Sequence, residues 1–137
     1  MANQKKTWTQ KLQTSKGPVV KPAPMNIAGM KAGQIMLIPS AQVVDAFVRK
    51  IPRGKSVSVL ELRQQLATDH KAEVCCPMST GFLIRIVAEA AYEAYEAGQK
   101  ITDITPIWRV LDKDAPTIKK LSFDPDFLLN LRTQEGL

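Results

Sequence analysis

Residues 51–69 read IPRGKSVSVLELRQQLATD and residues 77–98 read PMSTGFLIRIVAEAAYEAYEAG. In the first stretch Ser58 and Glu61 stand in the S-x-x-E spacing of a capping box, in which the hydroxyl and the carboxylate each satisfy a free N–H of the first helical turn. Val59, Leu62 and Leu66 follow with helical period, so a helix of about three turns is expected to end near His70. In the second stretch Pro77 closes a connector, Ser79 or Thr80 is placed to cap a longer helix, and Phe82, Leu83, Ile86, Val87, Ala90 and Ala94 recur on an apolar face. Gly98 is its expected C-cap. Two helices across a short connector, the second one longer, read as a helix-turn-helix, a layout shared by DNA-reading domains and by small helical domains that bind no nucleic acid.

Upstream, Ser40 is placed to cap a helix carrying Val43, Val44, Phe47 and Val48, which stops at Ile51 because the residue before Pro52 is disfavoured in the helical region. Ile35–Ile38 is a short apolar run ending at Pro39 and reads as a buried extended segment. Downstream, Asp124, Pro125 and Asp126 form a helix start, with proline in the first helical position and acidic side chains at the positive end of the dipole. Gly136 ends that helix. Residues 1–31 hold Gly17, Pro18, Pro22, Pro24 and Gly29 and read mostly as an extended arm. A short helix can begin it, since Thr7 and Gln10 have capping-box spacing and Trp8 and Leu12 share a face that could dock on the body. The expected organisation is an arm over 1–31 and one domain over 32–137.

The net charge of +6 comes from 19 basic and 13 acidic residues. Lys5, Lys6, Lys11, Lys16, Lys21 and Lys31 are the only charges before Ala32, so the rest of the chain is neutral. A polyanion partner or a solvated tail accounts for such an excess. Between Arg49 and Lys71 six basic residues face only Glu61 and Asp69. With no apolar run near the length of a membrane span and no apolar stretch in the lysine-bearing start, no membrane partner is expected, and the cytoplasm is the expected compartment. One histidine and two adjacent cysteines, Cys75 and Cys76, make neither a disulfide framework nor a metal-ligand set, so neither metal nor cofactor is expected.

The turn Ile51-Pro52-Arg53-Gly54-Lys55 resembles the I-P-x-G-K turn of the alkylguanine DNA alkyltransferases, the methylated-DNA–protein cysteine methyltransferase family, and of their alkyltransferase-like branch. Glu61-Leu62 is similar to the E-I that follows it, Pro106-Ile107-Trp108-Arg109-Val110 to the active-site P-C-H-R-V, and Leu128-Leu129 through Glu135-Gly136 to the terminal L-L-x-x-E-G. The order agrees over roughly 38–137, and Lys6-Thr7-Trp8 is similar to an extension on a bacterial branch. The resemblance implies a winged helix-turn-helix, mostly α with a small β element, that binds double-stranded DNA through the minor groove, where sequence readout is degenerate.

The departures bear on chemistry. The family accepts the alkyl group on a cysteine thiolate activated by histidine; here Ile107 and Trp108 occupy those positions, and isoleucine has no acceptor atom. Val59 stands at the family's nucleotide-rotating tyrosine, and Ser79 or Thr80 near its arginine finger. The resemblance therefore implies noncatalytic recognition of alkylated or distorted DNA in repair. Two alternatives stay open: an interaction module that kept the fold without DNA binding, and an alkyl acceptor using Cys75 or Cys76.

The residues expected at DNA are Arg53, Lys55, Ser58 and Arg63 around the first helix, and Ser79, Thr80, Gly81 and Arg85 on the first turns of the second, where free N–H groups favour phosphate. Arg85 also has Glu89 at i+4 as a partner. Glu89, Glu93 and Glu96 read as an acidic stripe that keeps the far end of that helix away from a phosphate backbone. Pro106, Ile107, Trp108, Arg109 and Val110 form the expected pocket motif, in which Trp108 is either core or a base-stacking platform and Arg109 resembles the family's structural arginine.

Overall fold

The computed structural model describes residues 6–137; Lys5, counted above with the basic start, lies outside them. Ser58 and Glu61 form the expected capping box at the start of a helix, Val59–Asp69, and both reciprocal hydrogen bonds are present at 3.1 Å. In chain order the elements are α1 (Trp8–Gln13), β1 (Val19–Pro22), β2 (Ile35–Ile38), α2 (Ala41–Arg49), α3 (Val59–Asp69), β3 (Val74–Cys75), α4 (Pro77–Glu96) and α5 (Asp126–Gln134), with 3-10 segments at Ile107–Arg109 and Pro116–Lys120. The chain is mostly helical with a small open sheet of order β1-β2-β3, antiparallel between β1 and β2 and parallel between β2 and β3.

Adjacent strand residues face opposite sides. Leu37 accordingly joins the main core of Val44, Val48, Leu62, Leu66, Ile84, Val87, Ile107, Leu111 and Leu128, whereas Met36 packs with Ala23, Met30 and Cys76 in a second, smaller cluster. Ser40 caps α2 as expected, its hydroxyl accepting from Val43. No helix of the described residues is long and apolar enough to cross a membrane, and among them no group of three His, Cys, Asp or Glu could hold a metal ion.

The first 31 residues are not a detached arm. Val19–Pro22 pairs with Ile35–Ile38 in antiparallel register, so a boundary at residue 31 would cut between paired strands. Helix α1 forms behind the Thr7/Gln10 capping box, and its first N–H groups, from Trp8 and Thr9, donate to the Glu93 carboxylate of α4 at 3.1 and 2.9 Å. The Gln42 amide donates to the carbonyls of Leu12 and Ser15, tying the end of α1 to α2. Burial raises the Glu93 carboxyl pKa, and the hydrogen bonds from Thr9, Trp8 and Thr7 more than offset this, leaving it below the ordinary value.

Candidate nucleic-acid interface

Helix α4 starts earlier than its sequence suggests. Cys76 is the N-cap and Pro77 the first helical residue, where a missing N–H costs nothing. Thr80 is therefore inside the helix and fully buried, its hydroxyl donating to the Cys76 carbonyl at 2.6 Å with the Cys75 sulfur 3.3 Å away. This corrects both expectations for Thr80: it neither caps α4 nor reaches a ligand, because it anchors the connector. Ser79 is half-buried. The outward face of the first turns is instead the exposed Met78 and Phe82 with the half-buried Gly81 and Arg85, spaced i, i+3, i+4, i+7 on one side of the helix. Met78 is 59% and Phe82 63% exposed, so Phe82 does not belong to the apolar core stripe read from the sequence.

This face is one wall of a groove of about 420 Å³. Val59, at the start of α3, lines it beside Pro77, and Pro116, Thr117 and Lys120 form the opposite wall. Leu60 is exposed next to Val59 on α3. No carboxylate lines the groove, and Arg85 and Lys120 are its charges. Two residues beyond Lys120, Ser122 is held by Glu89, which is 2% exposed and accepts from the Ser122 N–H at 2.6 Å and the Ser122 hydroxyl at 2.5 Å.

The acidic stripe expected on α4 is thus not a solvated face. Glu89 holds Ser122, Glu93 holds the start of α1, and Glu96 accepts from the Tyr92 hydroxyl. Arg85 lies with its Nε 3.6 Å from the Glu89 carboxylate and its guanidinium 5.1 Å from the centre of the Trp8 ring, and that Nε makes no hydrogen bond. Among the described residues the ion pairs are Arg49–Asp45, Arg85–Glu89 and Arg109–Glu135, so every described lysine stands free of carboxylates. Lys119 and Lys120 are both exposed.

The other expected contacts divide. Arg53 and Lys55 are exposed in the turn before α3. The Ser58 hydroxyl is occupied as the α3 cap, and the Arg63 Nε donates to the Cys75 carbonyl at 3.3 Å, so Arg63 helps hold the connector.

No protein-family model, curated protein or solved structure matches the chain.

The four short segments that carry the family resemblance do not all serve one site. Three converge on Glu135, whose side chain is 3% exposed. Its carboxylate accepts from Arg109 Nε and Nη2, both at 2.9 Å, from Trp108 Nε1 at 2.7 Å, and from the Gly54 N–H at 2.9 Å. Arg109 also donates to the Ile51 carbonyl, and Arg132 donates to that of Trp108. Burial raises the Glu135 carboxyl pKa, but the bonds from Arg109, Gly54 and Trp108 outweigh it and hold the group at about 2.

Pro106, Ile107, Trp108 and Val110 are buried, and Arg109 is half-buried. A cavity beside Trp108 and Arg109 holds about 60 Å³, room for a few waters rather than a base. Trp108 is core, so the expectation of a ligand pocket at Pro106–Val110 is corrected: the motif is a structural lock. Sequence reading missed the groove. The spacing of Met78, Phe82 and Arg85 was the available signal, hidden because Phe82 adjoins Leu83 in an apolar run.

Cys75 and Cys76 are both buried and unpaired. Burial pushes the Cys75 thiol up, partly countered by its Thr80 contact and the Arg63 charge. An alkyl acceptor needs the thiolate.

Proposed function

We propose that the chain is a noncatalytic binder of double-stranded DNA, a winged helix-turn-helix in which the first turns of α4 meet the duplex and the groove beside them receives alkylated or distorted sites. The observation that carries this reading is the groove itself: an apolar lining of Val59, Met78 and Phe82, the cations Arg85 and Lys120, and no carboxylate. The net charge of +6, the exposed Arg53 and Lys55 before α3, and lysines free of ion pairs support it. So does the convergence of the Ile51–Gly54 turn, the Pro106–Val110 motif and Glu135, segments that resemble the alkyltransferase family. Duplex affinity measured across salt concentrations tests the reading, because each neutralised phosphate lowers the slope of log K against log salt by about 0.9.

The noncatalytic part has its own test. Incubation with a duplex containing methylated guanine leaves the protein mass unchanged, since Ile107 has no acceptor atom and Cys75 and Cys76 are both buried, burial also pushing the Cys75 thiol pKa up. Ile107→Cys does not create a transferase either. Ile107 is fully buried and does not line the groove, so its replacement would sit in the core without an activating histidine. Intact-mass spectrometry reads both results, and a stoichiometric methyl adduct on either protein contradicts the proposal.

A further inference from the structure

We infer that Phe82, supported by Met78, is a wedge that enters the base stack of the bound duplex and bends it. This rests on the duplex-binding reading of the same groove. Phe82 and Met78 are among the most exposed large apolar side chains of the chain and stand four residues apart on the first two turns of α4. Scattered exposed apolar residues need no explanation, but these two line one groove, with Leu60 exposed beside Val59.

Charge complementarity selects the occupant. The groove is lined by Lys120 and by Arg85, which is paired with the buried Glu89, and by no carboxylate, so a polyanion with apolar planar groups between its charges fits both features. Proteins that enter the minor groove insert Phe or Met side chains between base steps, unstacking them and kinking the duplex. The charged ends of such a contact are present in Arg85 and in Lys119 and Lys120, on either side of the groove. Thr80 cannot serve as the filler, because it is buried against Cys76.

The test uses the full chain and a short duplex carrying a donor and an acceptor dye at its ends, titrated at three salt concentrations. Wild type shortens the end-to-end distance on binding. Phe82→Ala binds about tenfold more weakly, the usual loss for a deleted stacking side chain, keeps the salt slope and leaves the duplex straighter. Phe82→Leu, which keeps an apolar wedge, restores most of the bend. Because Phe82 is mostly exposed, melting temperatures stay close to wild type. A wild-type complex that shows salt-dependent binding to a straight duplex, or a Phe82→Ala complex bent as strongly as wild type, overturns the wedge and leaves duplex binding in place. Absent or salt-independent wild-type binding overturns both.

Discussion

Glu135→Gln lowers folding stability by about 3–5 kcal/mol, the usual cost of removing one partner of a buried ion pair. The carboxylate accepts from Arg109, Trp108 and Gly54 at once. Glutamine offers one oxygen and turns an N–H₂ group towards donors, leaving the half-buried Arg109 guanidinium unpaired. For a chain of this size the melting temperature falls by about 10 °C or more.

Acid reduces the difference between the two proteins. The Glu135 carboxyl is held at about 2 in the fold against an ordinary 4.5. A depressed carboxyl contributes stability that is fully present above the unfolded value and is lost as pH falls through the folded one. Wild type therefore loses up to about 3 kcal/mol between pH 4.5 and 2 that Glu135→Gln does not lose. Urea denaturation of both proteins at pH 7 and pH 3 measures this, and midpoints within a few tenths molar of each other at pH 7 would contradict the locking role of Glu135.

Gly81→Glu abolishes most duplex binding while leaving the fold as stable as wild type or more so. A Cβ added at Gly81 meets no atom within 4 Å, and the position is an ordinary helical one. Replacing a helical glycine relieves up to about 1 kcal/mol of intrinsic cost, and a glutamate there stands four residues before Arg85, a favourable i, i+4 pair. The same carboxylate stands in the groove between Arg85 and Lys120, where it repels phosphate and neutralises a contact. Like-charge placement in an interface costs several kcal/mol, so affinity at low salt falls by about 30-fold or more. Gly81→Ala changes affinity by no more than about threefold, since its methyl group carries no charge. Ala97→Glu, at the exposed far end of α4, leaves affinity unchanged. Equal affinities of Gly81→Glu and Gly81→Ala would remove α4 from the interface.

Much of the local structure was legible because its causes are local. The Ser58/Glu61 and Thr7/Gln10 boxes, the Ser40 cap and the α2 stripe are set by neighbours three or four residues apart. The lock on Glu135 was legible only as short segments resembling a family; its meaning required three distant parts of the chain to meet.

What sequence spacing could not assign was the direction of each helix face. Thr80 reads as a cap and a DNA contact because a threonine near a helix start usually caps it, whereas Pro77 as the first helical residue sets an earlier start and turns Thr80 inward. Glu89 was read as a surface charge because the donors that permit its burial belong to Ser122, 33 residues away. The basic start reads as an arm because Gly17, Pro18, Pro22, Pro24 and Gly29 punctuate it, and Val19–Pro22, exposed along its whole length, carries no alternating pattern to recognise.

Duplex binding by wild type, measured at four or more salt concentrations, tests the central claim most directly. Arg85 and Lys120 line the groove, and Arg53, Lys55 and Lys119 are exposed cations. If about four of them neutralise phosphates, log K falls linearly with log salt at a slope between about −3 and −5. Binding that is absent at low salt, or that does not change with salt, would contradict the account.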